Sequence, residues 1–389
     1  MQILCFASAD FEERNWVNAQ HLMWRLAARH EVLYVDSLGL RSPRPTRRDL
    51  GKIARRLRAL ARGTSRPSPD RRLHLLSPLA LPPTRGAAAR RWRARLLAAQ
   101  IERALARLGF ERPLAWAFLP TAAPAIERLR LGPVVYHCVD AYEANPSVDR
   151  ALILELEERL MARARVVVAS SAPLRDRLGE RHGDVRLMAN VADIAAYPPP
   201  GEAPPEPADL APLPHPRVGY LGNLAAYKCD LPLLAEAARQ RPDCSFVFIG
   251  DTGAGETSTP LGELSRLGNV HRLGPRPRAA LAGYLHGLDA ALVPFVDSVT
   301  TRHSFPMKFF EYLACGLPVV ARALPGLEGF LRPPHAYGYA TPEGFIAALS
   351  EALRAGAPPE RAARRALAEA HSWEKRMVEV EALLAEIAQ

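Results

Sequence analysis

Two charged residues near the start of a short predicted helix have the types and the spacing to hold a phosphorylated ligand. The stretch SFPMKFFEYLA places Pro306, Lys308 and Glu311 behind Ser304. Proline is well tolerated in the first turn of a helix, because its missing N–H would have no partner there. We therefore predict a helix that begins at Pro306 and is capped by Ser304. Lys308 and Glu311, three residues apart, then share one face near the positive end of the helix dipole.

Such a pair has the chemistry to hold a phosphorylated sugar. A helix N-terminus attracts phosphate through its free N–H groups and its dipole, and the Lys308 ammonium adds a positive charge and three donors. The Glu311 carboxylate could accept hydrogen bonds from two sugar hydroxyls. The same spacing also suits an ordinary surface ion pair on a helix, and spacing alone favours neither interpretation.

Two glycine-containing loops follow predicted strands in the same half of the chain. VGYLGNLAAYKCDLPLL places Gly222 directly after one strand and Lys228 shortly before a helix. FVFIGDTGAG places Gly250 after the next strand. Glycine lets the backbone approach a ligand closely at the carboxyl ends of parallel strands, where α/β sheets bind ligands. Both loops could hold phosphate, or they could be ordinary strand-to-helix turns.

The first half of the chain offers a candidate base. VVYHCVDAYE ends a predicted strand with His137, Asp140 and Glu143 at its carboxyl edge. A carboxylate there could take the proton from an acceptor hydroxyl during group transfer. Alternatively, Asp140 caps a following helix, a position that aspartate favours. His137 lies on the acceptor side of the predicted site but fits a structural role better than a catalytic one.

A second group of polar residues follows the first predicted strand. ASADFEERNWVNAQHLMWRLA places Asn15, Asn18 and Gln20 in the loop and first helical turn. These side chains could contact an acceptor. Trp16 and Trp24 in the same stretch fit packing better than binding, because large aromatic rings dominate buried cores.

The elements that would position these residues alternate between short β-rich runs and longer helical patterns. Such alternation predicts an α/β fold with parallel sheets and helices on both faces. The 389 residues suffice for two domains. The predicted strands are Ile3–Ala7, Glu31–Val35, Arg72–Leu76, Leu114–Phe118, Val134–Cys138, Arg165–Ala169 and Val185–Ala189 in the first half, and Arg217–Leu221, Ser245–Ile249, Val270–Leu273, Ala290–Pro294, Pro318–Ala321 and Ala336–Ala340 in the second.

The boundary between the predicted domains lies in a proline-rich stretch. Residues 197–216 contain nine prolines, and such a segment is stiff and extended. We therefore predict an N-terminal domain over 1–197, a linker over 198–216 and a C-terminal domain over 217–370. A final helix over 371–389 could return to the N-terminal domain.

With these motifs identified, the C-terminal half resembles the GT-B glycosyltransferases, especially family 4 and its relatives. SFPMKFFEYLACGLPVVA is similar to the family's donor-nucleotide motif, which ends in the same E-Y-x-A-x-G-x-P-V-V pattern. The resemblance implies two Rossmann-like domains whose parallel sheets face across a cleft. It also implies that Glu311 binds the donor ribose and Lys308 the diphosphate. It covers roughly residues 216–379 well and the N-terminal half only loosely.

The resemblance assigns neighbouring residues to the donor as well. Gly222 and Lys228 match the family's G-x-L-x-x-x-K-G phosphate loop. The resemblance also implies that the donor lies against Gly250, against the backbone near Arg276 and against the start of the helix motif. The residues at that start are Ser304 and Pro306.

This chain departs from the family pattern at three positions. Asn223 replaces an arginine and Cys229 a glycine of the phosphate loop, and His303 stands where retaining enzymes carry a second glutamate. Asp140 instead resembles the catalytic aspartate of inverting glucuronosyltransferases that assemble bacterial exopolysaccharide. Those enzymes also carry a lysine that matches Lys308. The resemblance therefore favours an inverting transferase.

The excess of basic residues is confined to one segment. The chain has a formal net charge of +10, yet residues 41–95 alone contain 17 Lys and Arg against 2 Asp and Glu. A short amphipathic helix is predicted at Leu50–Arg62, and such a helix could lie on an anionic membrane surface. A solvated charged excursion fits the composition equally well. Nucleic-acid binding fits worst, because no aromatic residues are interleaved and no known motif is present.

Several absences narrow the expected function. No run of 18 apolar residues could span a membrane, and MQILCFAS lacks the basic start and cleavage site of a signal peptide. The five scattered cysteines form no metal or redox motif and are expected to be buried thiols. No D-x-D pair occurs, so we expect catalysis without a metal ion or another cofactor. We place the protein in the cytoplasm or on the inner membrane face.

The predicted function is transfer of a sugar from a nucleotide diphosphate sugar, of the UDP or GDP type, to a hydroxyl acceptor. The acceptor would be a glycan or a lipid-linked precursor in cell-surface glycan or glycolipid assembly. Two alternatives remain open. A nucleotide-sugar epimerase of the same fold would need further carboxylates around the hexose. A degenerate nucleotide-sugar-binding scaffold would explain the departures at Asn223, Cys229 and His303.

Overall fold

Alternating strands and helices build two separate parallel sheets, as the sequence predicts. The structure, a computed structural model, describes residues 1–13, 16–40, 63–79, 86–145, 147–253 and 261–388. The N-terminal unit spans Met1–Ala189 and also includes the chain from Met377 onward, and the C-terminal unit spans Asn190–Arg376. The predicted amphipathic helix Leu50–Arg62 lies outside the described residues.

The strands form from short aliphatic runs that are buried on both faces. Such runs are typical of parallel sheets covered by helices on each side. Every predicted strand is present in the described part of the chain, within two residues of its predicted ends. The strands are β1 (Gln2–Phe6), β2 (Glu31–Val35), β3 (Leu73–Leu76), β4 (Leu114–Ala117), β5 (Val134–Cys138), β6 (Val166–Ala169), β7 (Val185–Leu187), β8 (Arg217–Leu221), β9 (Ser245–Ile249), β10 (Val270–Gly274), β11 (Ala290–Val293), β12 (Val319–Arg322) and β13 (Ala336–Tyr339).

Both sheets have the strand order of a doubly wound fold. The N-terminal sheet runs β3-β2-β1-β4-β5-β6-β7, and the C-terminal sheet runs β10-β9-β8-β11-β12-β13. Neighbouring strands pair in parallel in each sheet. The order reverses between β1 and β4 and again between β8 and β11. At such a switch point the loops diverge and leave a crevice at the carboxyl edge, where ligands bind.

Helices connect the strands in both units. In the described residues they are α1 (Asn18–Leu26), α2 (Ala87–Leu108), α3 (Ala123–Ile126), α4 (Arg150–Arg163), α5 (Ala172–Gly179), α6 (Leu231–Gln240), α7 (Leu281–His286), α8 (Val299–Arg302), α9 (Lys308–Ala314), α10 (Pro342–Arg354), α11 (Pro358–Ala370) and α12 (Trp373–Ile387). Among them, none is long and apolar enough to cross a membrane. All five cysteines are free and buried, which confirms the sequence expectation.

The last helix packs on the N-terminal unit through its second half. Val380, Leu383 and Leu384 are buried. Two polar contacts fix its other side: His30 Nε2 lies 3.0 Å from Glu381 Oε2, and Arg186 donates to Glu386 at 2.6 Å. The chain end therefore belongs to the same unit as the chain start.

The proline-rich segment is folded against the C-terminal unit. Tyr197 and Leu210 are buried, with 1% and 0% of their surface exposed. Arg217, which is 2% exposed, donates to the Leu213 carbonyl at 2.8 Å and to the Ala211 carbonyl at 3.0 Å. One buried guanidinium thus satisfies backbone carbonyls that proline-rich chain cannot pair within itself. The segment that the composition predicts to be a linker forms part of this unit's packing.

Candidate functional site

The helix α9 carries Lys308 and Glu311 in its first turn. It begins at Lys308, and Met307 precedes it without a side-chain cap. The prediction that Ser304 caps this helix is wrong, because its hydroxyl donates back to the Thr301 carbonyl at 3.3 Å. Pro306 lies in the turn before the helix, where its carbonyl accepts from the Phe309 N–H at 3.0 Å. The two charged residues nevertheless share one face, as predicted.

Aromatic packing fixes the opposite face of α9. Phe310 stacks on His371 with ring centroids 4.5 Å apart and on Phe305 at 5.3 Å. Phe309 and Phe310 are both fully buried. Burying an aromatic side chain contributes on the order of 2–3 kcal/mol, so this face holds the helix in one rotation. The charged face is left toward the ends of β8 and β11.

Hydrogen bonds hold α9 in position at two places. At one end the Leu221 N–H donates to the Tyr312 hydroxyl at 2.8 Å, which ties the helix to the end of β8. At the other end Arg364, which is fully buried, donates to the carbonyl of Gly316 at 2.7 Å. Its neighbour Arg365 donates to the Ala314 carbonyl at 2.9 Å. Cations at a helix C-terminus bind its unpaired carbonyls and favour its dipole.

The Lys308 ammonium lies in an aromatic and glycine-lined recess. Its Nζ is 4.0 Å from the centre of the Tyr220 ring and 5.8 Å from that of Phe295. A Cβ added to Gly222 would come within 2.5 Å of the same Nζ. Gly222 also has φ +138, which residues with side chains rarely adopt. The backbone conformation therefore requires glycine there, and the absence of a side chain leaves room for the lysine amine.

A second ammonium lies beside the first. Lys228 Nζ is 5.3 Å from the centre of the Phe295 ring, so both lysines flank one aromatic side chain. Within the residues that the structure describes, no carboxylate lies within ion-pair distance of either ammonium. Burial is the main cause that lowers the pKa of Lys308 to about 8, and the charge of Lys228 lowers it further. Glu311 acts on Lys308 from a greater distance and raises its pKa, so two neighbouring cations without a paired carboxylate form a site that favours an anion.

The glycine loops after β8 and β9 run side by side at close range, with a parallel bridge between Leu224 and Thr252. The Gly222 N–H donates to the Ile249 carbonyl at 2.8 Å, and Leu224 donates to the Asp251 carbonyl at 2.8 Å. A Cβ on Gly250 would come within 2.1 Å of the Gly222 carbonyl oxygen. Gly250 is thus required by the neighbouring backbone. It permits the close parallel approach of the two loops beside Lys308.

Glu311 lies in a second polar group on the same helix face. The Tyr197 hydroxyl donates to the Glu311 carboxylate, and burial is the main cause that raises the pKa of Glu311. The Arg278 and Lys308 cations and the Tyr197 hydrogen bond oppose that rise. Arg278 itself pairs with Asp193 at 2.9 Å. A carboxylate held by one phenol and one nearby guanidinium retains acceptor capacity for sugar hydroxyls.

The side chains of Arg276 and His303 form hydrogen bonds within the C-terminal unit. The Arg276 guanidinium donates to the Tyr284 hydroxyl at 2.7 Å and pairs with Asp209, which leaves the backbone of this residue as its means of contacting a base. His303 follows α8, and its Nδ1 is 2.8 Å from the Val299 carbonyl oxygen. His303 comes five residues before the start of α9. This is the position at which the family resemblance leads us to expect a glutamate in retaining enzymes.

In the N-terminal unit, Asp140 follows β5 in a loop that is fixed through its backbone. The Asp140 carbonyl accepts from the Tyr142 N–H at 3.0 Å and from Cys138 Sγ at 3.4 Å. The helix-cap alternative fails, because α4 is capped by Asp149 and the single turn at Tyr142–Ala144 has no side-chain cap. The carboxylate therefore stands at the carboxyl edge of the sheet without a capping role.

A buried ion pair supports the strand that carries Asp140. Glu157, which is 1% exposed, accepts from Arg177 at 2.7 Å and from the Tyr136 hydroxyl at 2.8 Å. Arg177 also lies 3.6 Å from Glu143, in the turn just after Asp140. Breaking a buried ion pair by removing one partner costs about 3–5 kcal/mol, so this network holds β5 and the following turn in place.

The other acceptor-side predictions fall on residues that serve packing. His137 is buried, its Nδ1 accepts from the Trp116 indole N–H at 3.4 Å, and its ring stacks on Phe118 at 4.9 Å. Gln20 is fully buried; it accepts from the Val17 N–H at 2.8 Å and donates to the Asp10 carbonyl at 3.0 Å. Their side chains are engaged in holding the N-terminal unit together.

The remaining acceptor-side residues lie in the same loop region. Asn18 is the buried first residue of α1, and Asn15 lies outside the described residues. Trp16 packs on Trp24 at 5.8 Å and on Phe11 at 5.3 Å. The prediction that both tryptophans serve packing is confirmed.

Several residues of the site could not be found from spacing. Tyr197, Asp193 and Arg278 reach Glu311 from distant parts of the chain, and Tyr220 and Phe295 supply the rings around the lysines. Only Tyr220 carried a signal, because it lies two residues before Gly222 in the phosphate-loop motif. Within the described ranges, no three His, Cys, Asp or Glu side chains are grouped to hold a metal ion.

Comparison with known proteins places the match in the C-terminal unit. A family model described as glycosyl transferase-like matches residues 232–382. TuaH of Bacillus subtilis (strain 168), a protein assigned as a teichuronic acid biosynthesis glycosyltransferase, is 34% identical over 161 residues. That alignment covers 40% of this chain and 40% of TuaH, so the matched region is less than half the length of this relative.

Solved structures match over nearly the whole chain at low identity. A sucrose-phosphate synthase from Thermosynechococcus elongatus has a TM-score of 0.72 at 16% identity, covering 99% of this chain and 98% of that one. The HepE protein of Anabaena, solved with UDP-glucose, has a TM-score of 0.67 at 16% identity, covering 99% and 100%. An α,α-trehalose-phosphate synthase from Burkholderia vietnamiensis has a TM-score of 0.66 at 16% identity, covering 100% and 99%. The chain therefore has the GT-B fold, and its residues 232–382 match the glycosyl transferase-like family.

Proposed function

We propose that this protein is a glycosyltransferase that moves a sugar from a nucleoside diphosphate sugar to a hydroxyl acceptor in glycan or glycolipid assembly. The observation that carries the proposal is the pair of ammonium groups, Lys308 and Lys228, beside a glycine with positive φ at the switch point of a Rossmann-like sheet. An anionic diphosphate fits this arrangement better than any neutral ligand, because it supplies the missing counterion.

The donor would lie along α9. Its diphosphate would contact the two lysines and the loop at Gly222, and its ribose would lie on Glu311. A carboxylate can accept hydrogen bonds from both ribose hydroxyls, and the Tyr197 hydrogen bond keeps it oriented. Lys308 and Glu311 share one face of α9, so a single helix fixes the distance between the diphosphate and ribose contacts of the donor, and Lys228 reaches the diphosphate from the loop after β8.

The same lysines would assist the chemical step. When the bond between the anomeric carbon and the diphosphate oxygen breaks, the electron pair leaves with the nucleoside diphosphate. Positive groups placed in advance around that oxygen stabilise the developing charge. The acceptor oxygen then bonds to the anomeric carbon, and we assign its proton to Asp140 as general base. This sequence inverts the anomeric configuration and uses no metal ion.

The nucleotide is proposed to be of the UDP type. HepE, a structural neighbour at 16% identity, was solved with UDP and with UDP-glucose, and TuaH is assigned to assembly of a cell-surface glycan, teichuronic acid. These names support a UDP-sugar donor and a glycan or lipid-linked acceptor for this chain. GDP-sugars are the second choice.

A peripheral position on the cytoplasmic face of a membrane suits such an acceptor. The segment 41–95 contains 17 Lys and Arg against 2 Asp and Glu. A polybasic segment gains about 1 kcal/mol per Lys or Arg near an anionic lipid surface. We therefore propose that this segment attracts the protein to anionic membranes.

Loss of either charged group of α9 should weaken UDP binding. We expect Lys308→Met and Glu311→Ala each to lower the affinity by roughly tenfold, since a hydrogen bond to a charged group contributes about 1.5–3 kcal/mol. Calorimetric titration with UDP measures this, and Glu343→Ala, an exposed glutamate on α10, serves as the control. If neither site variant binds UDP more weakly than the control, the donor site has been placed wrongly.

The affinity for UDP should fall as the pH rises through about 8. Lys308 has a pKa of about 8, so it is charged below that pH and loses its proton above it, and only the charged form attracts diphosphate. We expect binding near pH 8 to take up a proton, which titrations in buffers of different ionisation enthalpy would detect. Lys308→Arg keeps its charge at high pH and should flatten the profile. A wild-type affinity that stays constant from pH 7 to pH 9.5 would contradict the assignment.

Removing the proposed base should abolish transfer and spare donor binding. We expect Asp140→Asn to lower the transfer rate by about 10²–10⁴-fold, the usual effect of losing a general base, with unchanged affinity for UDP. The readout is incorporation of radiolabelled sugar from UDP-sugar into the lipid and glycan fractions of the source organism's membranes. Asp176→Asn, at an exposed aspartate of α5, is the control. Undiminished turnover in Asp140→Asn would remove this residue from the mechanism.

Neutralising the basic segment should release the protein from anionic vesicles. We expect glutamine at four arginines of the predicted helix to reduce co-sedimentation with phosphatidylcholine vesicles that contain anionic phosphatidylglycerol, and added salt to have the same effect. The four positions are Arg55, Arg56, Arg58 and Arg62. The matched control neutralises four exposed arginines of the C-terminal unit, namely Arg266, Arg272, Arg332 and Arg354. Equal loss in both sets would show that the segment has no special role.

A further inference from the structure

A cavity in the N-terminal unit is not used by the proposed chemistry. It has a volume of about 220 Å³ and lies between the first turns of α2, the turn after β4 and the helix α4, near the ends of β2 and β3. Asp140 is not among its lining residues. Its walls are largely aliphatic and are formed by Leu38, Leu79, Ala94, Leu97, Leu152 and Leu156.

Positive charge surrounds this apolar cavity. Five arginines and a single glutamate line it: Arg90, Arg91, Arg93, Arg128, Arg159 and Glu127. Arg159 donates to Glu127 at 2.6 Å, and Arg90 pairs with Glu155 at 3.1 Å. Arg91 and Arg128 have no carboxylate within ion-pair distance in the part of the chain that the structure describes. Charge at the cavity is therefore unbalanced and favours an anion.

A buried hydroxyl in the same cavity lacks a partner. Thr121 Oγ1 is buried and has no hydrogen-bond partner among the described residues. Leaving such a group unpaired costs about 1–3 kcal/mol, and a polar ligand atom would relieve that cost. Burial also lowers the pKa of the Arg93 guanidinium on the cavity wall. An anion beside it would stabilise its charged form.

An exposed tryptophan marks the helix that forms one wall. Trp92 has 57% of its surface exposed and lies on α2 between Arg91 and Arg93. Tryptophan with flanking cations is enriched where a protein surface meets the headgroup region of a bilayer. This feature indicates that the ligand comes from a lipid surface.

We propose that this cavity binds a phosphate-bearing lipid, with the first part of its hydrocarbon chain in the aliphatic cavity and its phosphate on Arg91, Arg128 and Thr121. Arginine suits phosphate because its planar guanidinium donates two parallel hydrogen bonds. The identification of this lipid as the carrier of the acceptor sugar rests on the proposed function. The binding itself does not, because the cavity lies wholly within the N-terminal unit.

Binding of a short alkyl phosphate to the purified full-length chain tests the proposal. We expect decyl phosphate, used below its micelle concentration, to bind at one site by calorimetric titration. Inorganic phosphate and decyl maltoside, which share only its anion or only its chain, should each bind at least tenfold more weakly. UDP is titrated in parallel, so failure of the proposed function, seen as absent UDP binding, is distinguishable from failure of the lipid site.

Two sets of variants locate the site. The double variant Arg91→Gln with Arg128→Gln should weaken decyl phosphate binding at least tenfold, whereas Arg95→Gln with Arg103→Gln, on exposed positions of the same helix α2, should leave it unchanged. Ala94→Phe should fill the cavity and abolish binding, and its thermal unfolding midpoint shows whether it still folds. Equal binding of inorganic phosphate or of decyl maltoside, equal loss in both arginine pairs, or no binding of decyl phosphate would each overturn the proposal.

Discussion

The constraint on which the C-terminal site depends is an ammonium group held beside a glycine without a counterion. Lys308 lies over the Tyr220 ring at 4.0 Å and next to Lys228, and burial lowers its pKa. Aromatic faces offset part of the cost of a desolvated cation, by roughly 0.5–2 kcal/mol, but two neighbouring cations still repel each other. The fold therefore has to hold both lysines in place against their own repulsion. Under the proposed function, a diphosphate would offset this repulsion between the two lysines.

The contacts around α9 hold Lys308 in place despite the repulsion from Lys228. The phenylalanine face of the helix is buried, Tyr312 ties it to the end of β8, and Arg364 binds the carbonyls beyond its C-terminus. The loops after β8 and β9 run side by side so closely that Gly250 has no room for a side chain against the Gly222 backbone, and Gly222 leaves space for the Lys308 amine. The packing contacts thus lie on one side of α9 and its charged residues on the other. These contacts hold the charged side chains in place without the help of a ligand.

The sequence predicted the scaffold and the charged residues of the site better than their surroundings. Strand periodicity depends on local pattern and short connections, so all the described strands followed from it, whereas the roles expected for Lys308, Lys228 and Gly222 came from their resemblance to GT-B donor motifs. Tyr197, Arg278 and Phe295 reach the site through long-range packing, for which a single sequence carries no spacing signal. The capping prediction for Ser304 was wrong because its hydroxyl found a nearer carbonyl in the preceding turn. The proline-rich segment packs because Arg217 satisfies its carbonyls, a contact that composition cannot show.

The distribution of charge separates the tasks of the two units. The candidate donor site involves Lys308 of α9 and Lys228 of the loop after β8, with Arg278 near Glu311. The large basic excess of the chain lies instead in residues 41–95, which belong to the N-terminal unit together with Asp140 and the arginine-lined cavity. A nucleotide does not require that excess, and nucleic-acid binding lacks the interleaved aromatic residues that it would need. The two proposals, a membrane-attracted basic segment and a lipid-binding cavity, would account for it, because polybasic segments and exposed tryptophan favour anionic lipid surfaces. Under both proposals the N-terminal unit is the part of the protein that meets the membrane, because it contains the basic segment and the cavity.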